Sequence, residues 1–167
     1  CAPSKELEEL SISFGYSTAL FLDRDFVYSE IKSLKDAQKL VAHARVLGVV
    51  SIGRVVVDCV REVIEKSSVN VMVGIEGVAS KDSLQQVRGG LDQVIAPILY
   101  LRDISLMFSF SDVLLKPNPV LISRMRFNLM VSKKYKVNTI VSCLCYSKYD
   151  LRSVSDVETF FRVVRQE

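Results

Sequence analysis

Apolar runs of strand length alternate along the chain with segments whose apolar residues recur every three or four positions. That alternation predicts βαβ units, a parallel sheet and the α/β class. Predicted strands cover 17–22, 49–57, 69–75, 91–95, 104–110 and 139–144. Several are nearly continuous in Val, Ile and Leu, as in parallel strands covered on both faces. The clearest helix carries Leu34, Ala37, Leu40, Val41, Ala44 and Leu47 on one stripe, behind Ser33 with Asp36 three residues on. Further helices are predicted over 5–13, 58–66, 80–87, 120–135 and 155–165, the last opened by Ser155 with Glu158 at capping-box spacing. Pro117 and Pro119 end the strand before the long helix and set up its start. No repeat, low-complexity tract or Gly/Ser-rich linker divides the chain, so 1–167 reads as a single domain.

Composition narrows the class. Of 167 residues, 49% are hydrophobic and 25% charged, with only 7 Gly and 4 Pro, which excludes a disordered or fibrous chain. Arg54 breaks the apolar stretch 46–60, and Asp92, Pro97, Arg102 and Asp103 break the one from 91 to 110, so neither reaches the roughly 18 residues of a membrane span. The start, Cys1-Ala-Pro-Ser-Lys-Glu, has no basic region followed by an apolar one, and a cytoplasmic location is expected. It also lacks an initiator Met, so an N-terminal piece is expected to be missing. Four cysteines (Cys1, Cys59, Cys143, Cys145) are too few and scattered for a disulfide framework. Cys143 and Cys145, two apart at the end of a predicted strand, would share a face and read as small buried hydrophobes rather than half a metal site.

Charge is polarised. The net charge is +3, yet 116–152 holds eight cations against Asp150 alone, so that segment carries +7 and the remainder −4. A basic C-terminal third suits a polyanionic partner, although a solvated helix face gives the same count.

Catalytic constellations are sparse. Asp23, Asp58 and Glu76 stand at predicted strand ends, where an α/β barrel gathers its ligands, and could hold a hard cation as a degenerate metal-dependent phosphoesterase. His43, the only histidine, lies within a helix, so a His-x-His ligand pair and a Ser-His-Asp triad are both excluded. Helix-capping roles for Asp23 and Asp58 are the simpler alternative. Gly-x-Ser-x-Gly, the Gly-x-x-x-x-Gly-Lys-Ser/Thr loop and Gly-x-Gly-x-x-Gly are absent.

The distinctive stretch runs from Arg124-Met-Arg-Phe-Asn through Ser-Lys-Lys-Tyr-Lys-Val-Asn-Thr-Ile-Val-Ser-Cys to Ser-Lys-Tyr-Asp-Leu-Arg-Ser-Val-Ser-Asp156. Arg124, Asn128 and Ser132 fall on one helical side, and Lys148 and Arg152 fall in the loop after the last strand. This series resembles the protein component 3 family of archaeal ribonuclease P, which includes the eukaryotic thirty-kilodalton subunit, best over 103–161. Upstream, Gly15-Tyr16-Ser17-Thr18-Ala19-Leu20 and the run 69–77 resemble family segments in order, and Arg88-Gly-Gly-Leu-Asp-Gln-Val resembles either the family's Gly-Leu-Asp-His-Val segment, with Gln93 where the family has His, or the strand before it. The resemblance implies a TIM-barrel-like parallel α/β barrel, similar to metal-dependent PHP phosphoesterases without their histidine ligands, here shortened and lacking its first strand. It also implies a non-catalytic subunit of ribonuclease P that supports a catalytic RNA in removing the 5′ leader of precursor tRNA, located in the cytoplasm or, in a eukaryote, the nucleolus. Implied partners are the ribonuclease P RNA, another small protein subunit and, through the holoenzyme, precursor tRNA, with no membrane. No cofactor is expected on the protein, and Mg²⁺ would belong to the RNA. Arg88, Lys134, Lys148 and Arg152 would face RNA, joined by Arg124, Arg126 and Lys133. Arg152 carries the most weight, because Arg grips phosphate with two parallel hydrogen bonds. An ion pair with Asp150 or Asp156 is its alternative role.

Overall fold

A computed structural model describes residues 5–17, 20–22, 24–78, 82, 87–115, 117–145 and 147–166. Its sheet holds β1 (Phe26–Ile31), β2 (Val50–Val55), β3 (Val71–Val73), β4 (Ser105–Ser109) and β5 (Thr139–Ser142), all parallel and neighbours in chain order. The helices are α1 (Lys5–Ser13), α2 (Leu34–Leu47), α3 (Val60–Lys66), α4 (Ile95–Leu101), α5 (Phe110–Leu115), α6 (Pro119–Tyr135) and α7 (Val154–Arg165). A 3₁₀ turn, Ile75–Gly77, follows β3, and another, Lys148–Asp150, precedes α7.

The strand alternation sorts two cores. Val27, Ile31, Val55, Met72, Leu106 and Phe108 join the large cluster beneath the helices, with Ala37, Leu40, Val63, Leu99, Met125 and Phe161. Ile52, Val71, Val73 and Met107 form a smaller cluster, with Phe26, Tyr28, Ile140 and Leu144 packed against it. Sequential parallel strands with helices between them are the α/β arrangement that the alternation predicts. A closed barrel is not formed: the sheet is open, and among the described residues no pairing joins β5 to β1. Eight strands suffice to close a small barrel, whereas five, each turned about 20–25° from the last, do not come round to meet.

Local signals fix most helix ends. Ser33 accepts from Asp36 N–H and caps α2, which stops at Gly48 with φ +68°. Asn118 accepts from Val120 N–H (2.9 Å), and Pro119 occupies the first position of α6. Helix α7 starts one step earlier than expected, with Ser153 rather than Ser155 as its cap, accepting from Asp156 N–H (3.1 Å). What precedes Pro117 is helix α5, not a strand.

Two predicted strands are corrected. Within 17–22, the described Leu22 makes only an isolated bridge to Phe26, and the first strand is Phe26–Ile31. Asp25 explains the shift: its carboxylate accepts from Phe21 N–H (2.8 Å) and Arg24 Nε (2.9 Å), closing a turn that the apolar run alone does not reveal. Residues 91–95 are not a strand either, because Asp92 accepts from Val94 and Ile95 N–H (2.8 and 2.7 Å) and launches α4. Pro97 fits in that helix's first turn, where its missing N–H costs no hydrogen bond. Of the helix expected over 80–87, only Asp82 and Val87 are described, and neither lies in a helix.

Candidate nucleic-acid interface

Helix α6 organises the basic region through three differently employed faces. Arg124, Asn128 and Ser132, spaced four apart, are all buried, together with Met125 and Leu129. Arg124 donates through Nη1 to the Glu76 carbonyl (3.1 Å) and through Nε to Asp82 (3.0 Å), and Asn128 Nδ2 donates to the Gly89 carbonyl (2.7 Å). These side chains hold the segment after β3 against the helix. Arg124 is only 6% exposed, so its expected place on the RNA-facing surface is corrected: its charge is spent inside the fold. A second face, Phe127, Val131 and Lys134, borders a cavity, while Arg126 and Lys133, seven residues apart, lie exposed on a third.

The pinned segment delivers Arg88 to the same cavity. Its backbone N–H donates to Asp82 (2.8 Å), and the two following glycines admit a close approach to other backbone. A Cβ at Gly89 would strike Asn128 Oδ1, and at Gly90, where φ is +85°, it would strike the Ile75 carbonyl. Arg88 and Lys134, distant in sequence, thereby converge on a cavity of about 830 Å³ that Asp58 and Tyr135 also line. Both cations are exposed, and Lys134 Nζ sits 5.4 Å from the Tyr135 ring centroid.

Lys148 and Arg152 lie in the segment after β5, as expected. Lys148 is exposed, 5.6 Å over the Tyr149 ring and only loosely paired with Glu6 at 3.9 Å. Arg152 Nη1 donates to the Tyr149 and Leu151 carbonyls (both 2.8 Å), and neither Asp150 nor Asp156 forms an ion pair with it. Asp150 instead completes a capping box with Ser147. Tyr16 fastens the segment from the other side, its hydroxyl donating to the Arg152 carbonyl (3.0 Å).

Cys143 and Cys145 sit just past β5, flanking Leu144 in the left-handed region (φ 43°). Cys59, Cys143 and Cys145 are all free. A hydrogen bond from Cys145 lowers the Cys143 thiol from its ordinary range, opposed by burial and helped by the Arg152 N–H, while Cys145 is pushed up.

Two of the three expected acids are described, and they lie in different settings. Asp23 lies outside the described residues; Asp58 is exposed on the cavity, whereas Glu76 is buried with neither carboxylate oxygen hydrogen-bonded. Burial pushes the Glu76 carboxyl up to about 7, Asp112 adds to the rise and Arg54 opposes it. Among the described residues, no group of three or more His, Cys, Asp and Glu is arranged to hold a metal. Of the described acids, exposed Asp58 and buried Glu76 do not share one metal site. Sequence reading missed the cluster beside Glu76, in which Arg54 pairs with Asp112 (2.9 Å) and donates to the Tyr28 hydroxyl. A charged residue inside an otherwise apolar strand was its available signal, since a half-buried Arg needs partners.

No helix among the described residues is long and apolar enough to cross a membrane. No family model matches the sequence, and no curated protein matches it significantly. Among solved structures, a chain of the cryo-EM structure of archaeal ribonuclease P with mature tRNA has a similar fold, with a TM-score of 0.52 and 18% identity over 98% of this chain and 80% of that chain. That likeness extends over nearly the whole of this chain and identifies its fold as one used by a chain of that assembly.

Proposed function

We propose that this chain is a non-catalytic, RNA-binding subunit of ribonuclease P, supporting a catalytic RNA in removing the 5′ leader of precursor tRNA. The observation that carries the reading is the fold likeness, over 98% of the chain, to a chain of archaeal ribonuclease P. Convergence of Arg88 and Lys134 on one cavity supports it, as do the exposed Arg126, Lys133 and Lys148. In this reading the RNA holds the catalytic Mg²⁺. The protein neutralises phosphates and recognises folded RNA through its backbone and shape, which is how proteins commonly read structured RNA. Its partners are that RNA, a second small protein subunit and, through the holoenzyme, precursor tRNA.

Reconstitution tests this directly. Catalytic RNA and the remaining subunits cleave precursor tRNA at limiting Mg²⁺ with and without this chain, and its addition is expected to raise cleavage. Replacing Arg88 and Lys134 together by Ala should remove most of that gain. With about four phosphate contacts, log affinity for the RNA falls against log salt with a slope of roughly −3 to −4. Absence of stimulation by the folded chain, or a slope near zero, would overturn the proposal.

A further inference from the structure

The cavity beside α6 combines features that an extended phosphate-binding face does not require. At about 830 Å³ it falls within the range of small-ligand sites, roughly 300–1,000 Å³. Phe127, Val131 and Tyr135 supply apolar and aromatic wall, Arg88 and Lys134 supply positive charge, and Asp58 adds an exposed carboxylate. Asp92 also lines it, but its Oδ1 is already committed to the N–H groups of Val94 and Ile95. A surface that met only duplex backbone would need the cations alone. Stacked, paired bases cannot enter a cavity, whereas an unstacked base offers a flat π-face to an aromatic wall and carries its phosphate to the rim.

We propose that this cavity receives one unstacked ribonucleotide of a single-stranded RNA segment, with its base against Tyr135 and Phe127 and its phosphate on Arg88 and Lys134. The inference rests on the RNA-binding reading and specifies the form of RNA bound at this site. Asp58 accepts hydrogen bonds and donates none, so it favours an amino-bearing base such as guanine, whose N1–H and N2–H₂ engage both carboxylate oxygens, over uracil with its single N3–H. Gly89 and Gly90 contribute backbone to the wall, and their close approach to Asn128 and the Ile75 carbonyl fixes where that wall runs.

The test uses the whole chain and two forms of one oligoribonucleotide, single-stranded and annealed to its complement, carrying 6-thioguanosine at a single position. Single strands are expected to bind more tightly than the duplex, with the photo-crosslink mapping to Tyr135 or Phe127. Tyr135→Ala should weaken single-strand binding about tenfold while leaving duplex binding unchanged. Asp58→Asn, at an exposed position, should narrow the preference for amino-bearing bases over an all-uridine strand, which keeps the test valid if the Tyr135 variant melts early. Equal binding of both forms with crosslinks only outside the cavity would overturn the pocket and leave the RNA reading standing. Failure to bind either form would overturn that reading and the pocket with it.

Discussion

Glu76 is the residue whose chemistry the fold has altered most. Its carboxyl is 1% exposed, both oxygens lack hydrogen-bond partners, and burial raises it from an ordinary 4.5 to about 7. A carboxyl raised in the folded state favours folding while protonated in both states. That advantage is complete below about 4.5 and is lost as pH rises through 7, by on the order of 3 kcal/mol. The parent chain is therefore expected to lose stability relative to Glu76→Gln between about pH 5 and pH 8, measured by urea unfolding at both. A pH-independent difference would show that the carboxyl is not protonated in the fold. From sequence, Glu76 was only an acid at a strand end. What makes it neutral-prone is the layer of Ile75, the α6 face and the Arg54–Asp112 pair around it, which sequence position does not reveal.

At the scale of elements, caps and stripes were legible and short apolar runs were not. The starts of α2 and α6 followed from Ser33 and Pro119, because capping is settled within a few residues. The run through Val94 and Ile95 reads as strand because periodicity alone does not separate a short buried strand from a short buried helix. The carboxylate of Asp92 decides it. In α6, the spacing of Arg124, Asn128 and Ser132 correctly placed them on one side, but that side faces inward. Asn128→Ala strands the buried Gly89 carbonyl and is expected to cost about 2 kcal/mol. It should also weaken RNA binding without removing a charge, because the segment bearing Arg88 loosens. Asn118→Ala, which removes only a cap, is expected to cost about 1 kcal/mol and to leave RNA affinity unchanged. Denaturant melts and binding titrations on the two variants separate these outcomes.

Across the whole molecule, the open sheet and the charge distribution set its behaviour. Among the described residues, β1 and β5 pair on one side only, and unpaired strand edges template association. Sedimentation through the micromolar range is expected to show an average mass rising above 18.8 kDa, with little dependence on salt. A constant monomer mass would show that the edges are blocked. The sequence by itself determined the α/β class, the parallel alternation of elements, most helix ends and the basic C-terminal third. Each of these depends on composition or on contacts within a few residues. Only the tertiary structure decided which cations remain on the surface. Arg124 and Lys134 belong to one helix, yet one is enclosed by Glu76, Asp82 and the segment after β3, while the other reaches a cavity shared with Arg88. Desolvation and convergence depend on which distant segments pack together. The order and register of the strands fix that packing, so the same residue type on the same helix acquires opposite roles.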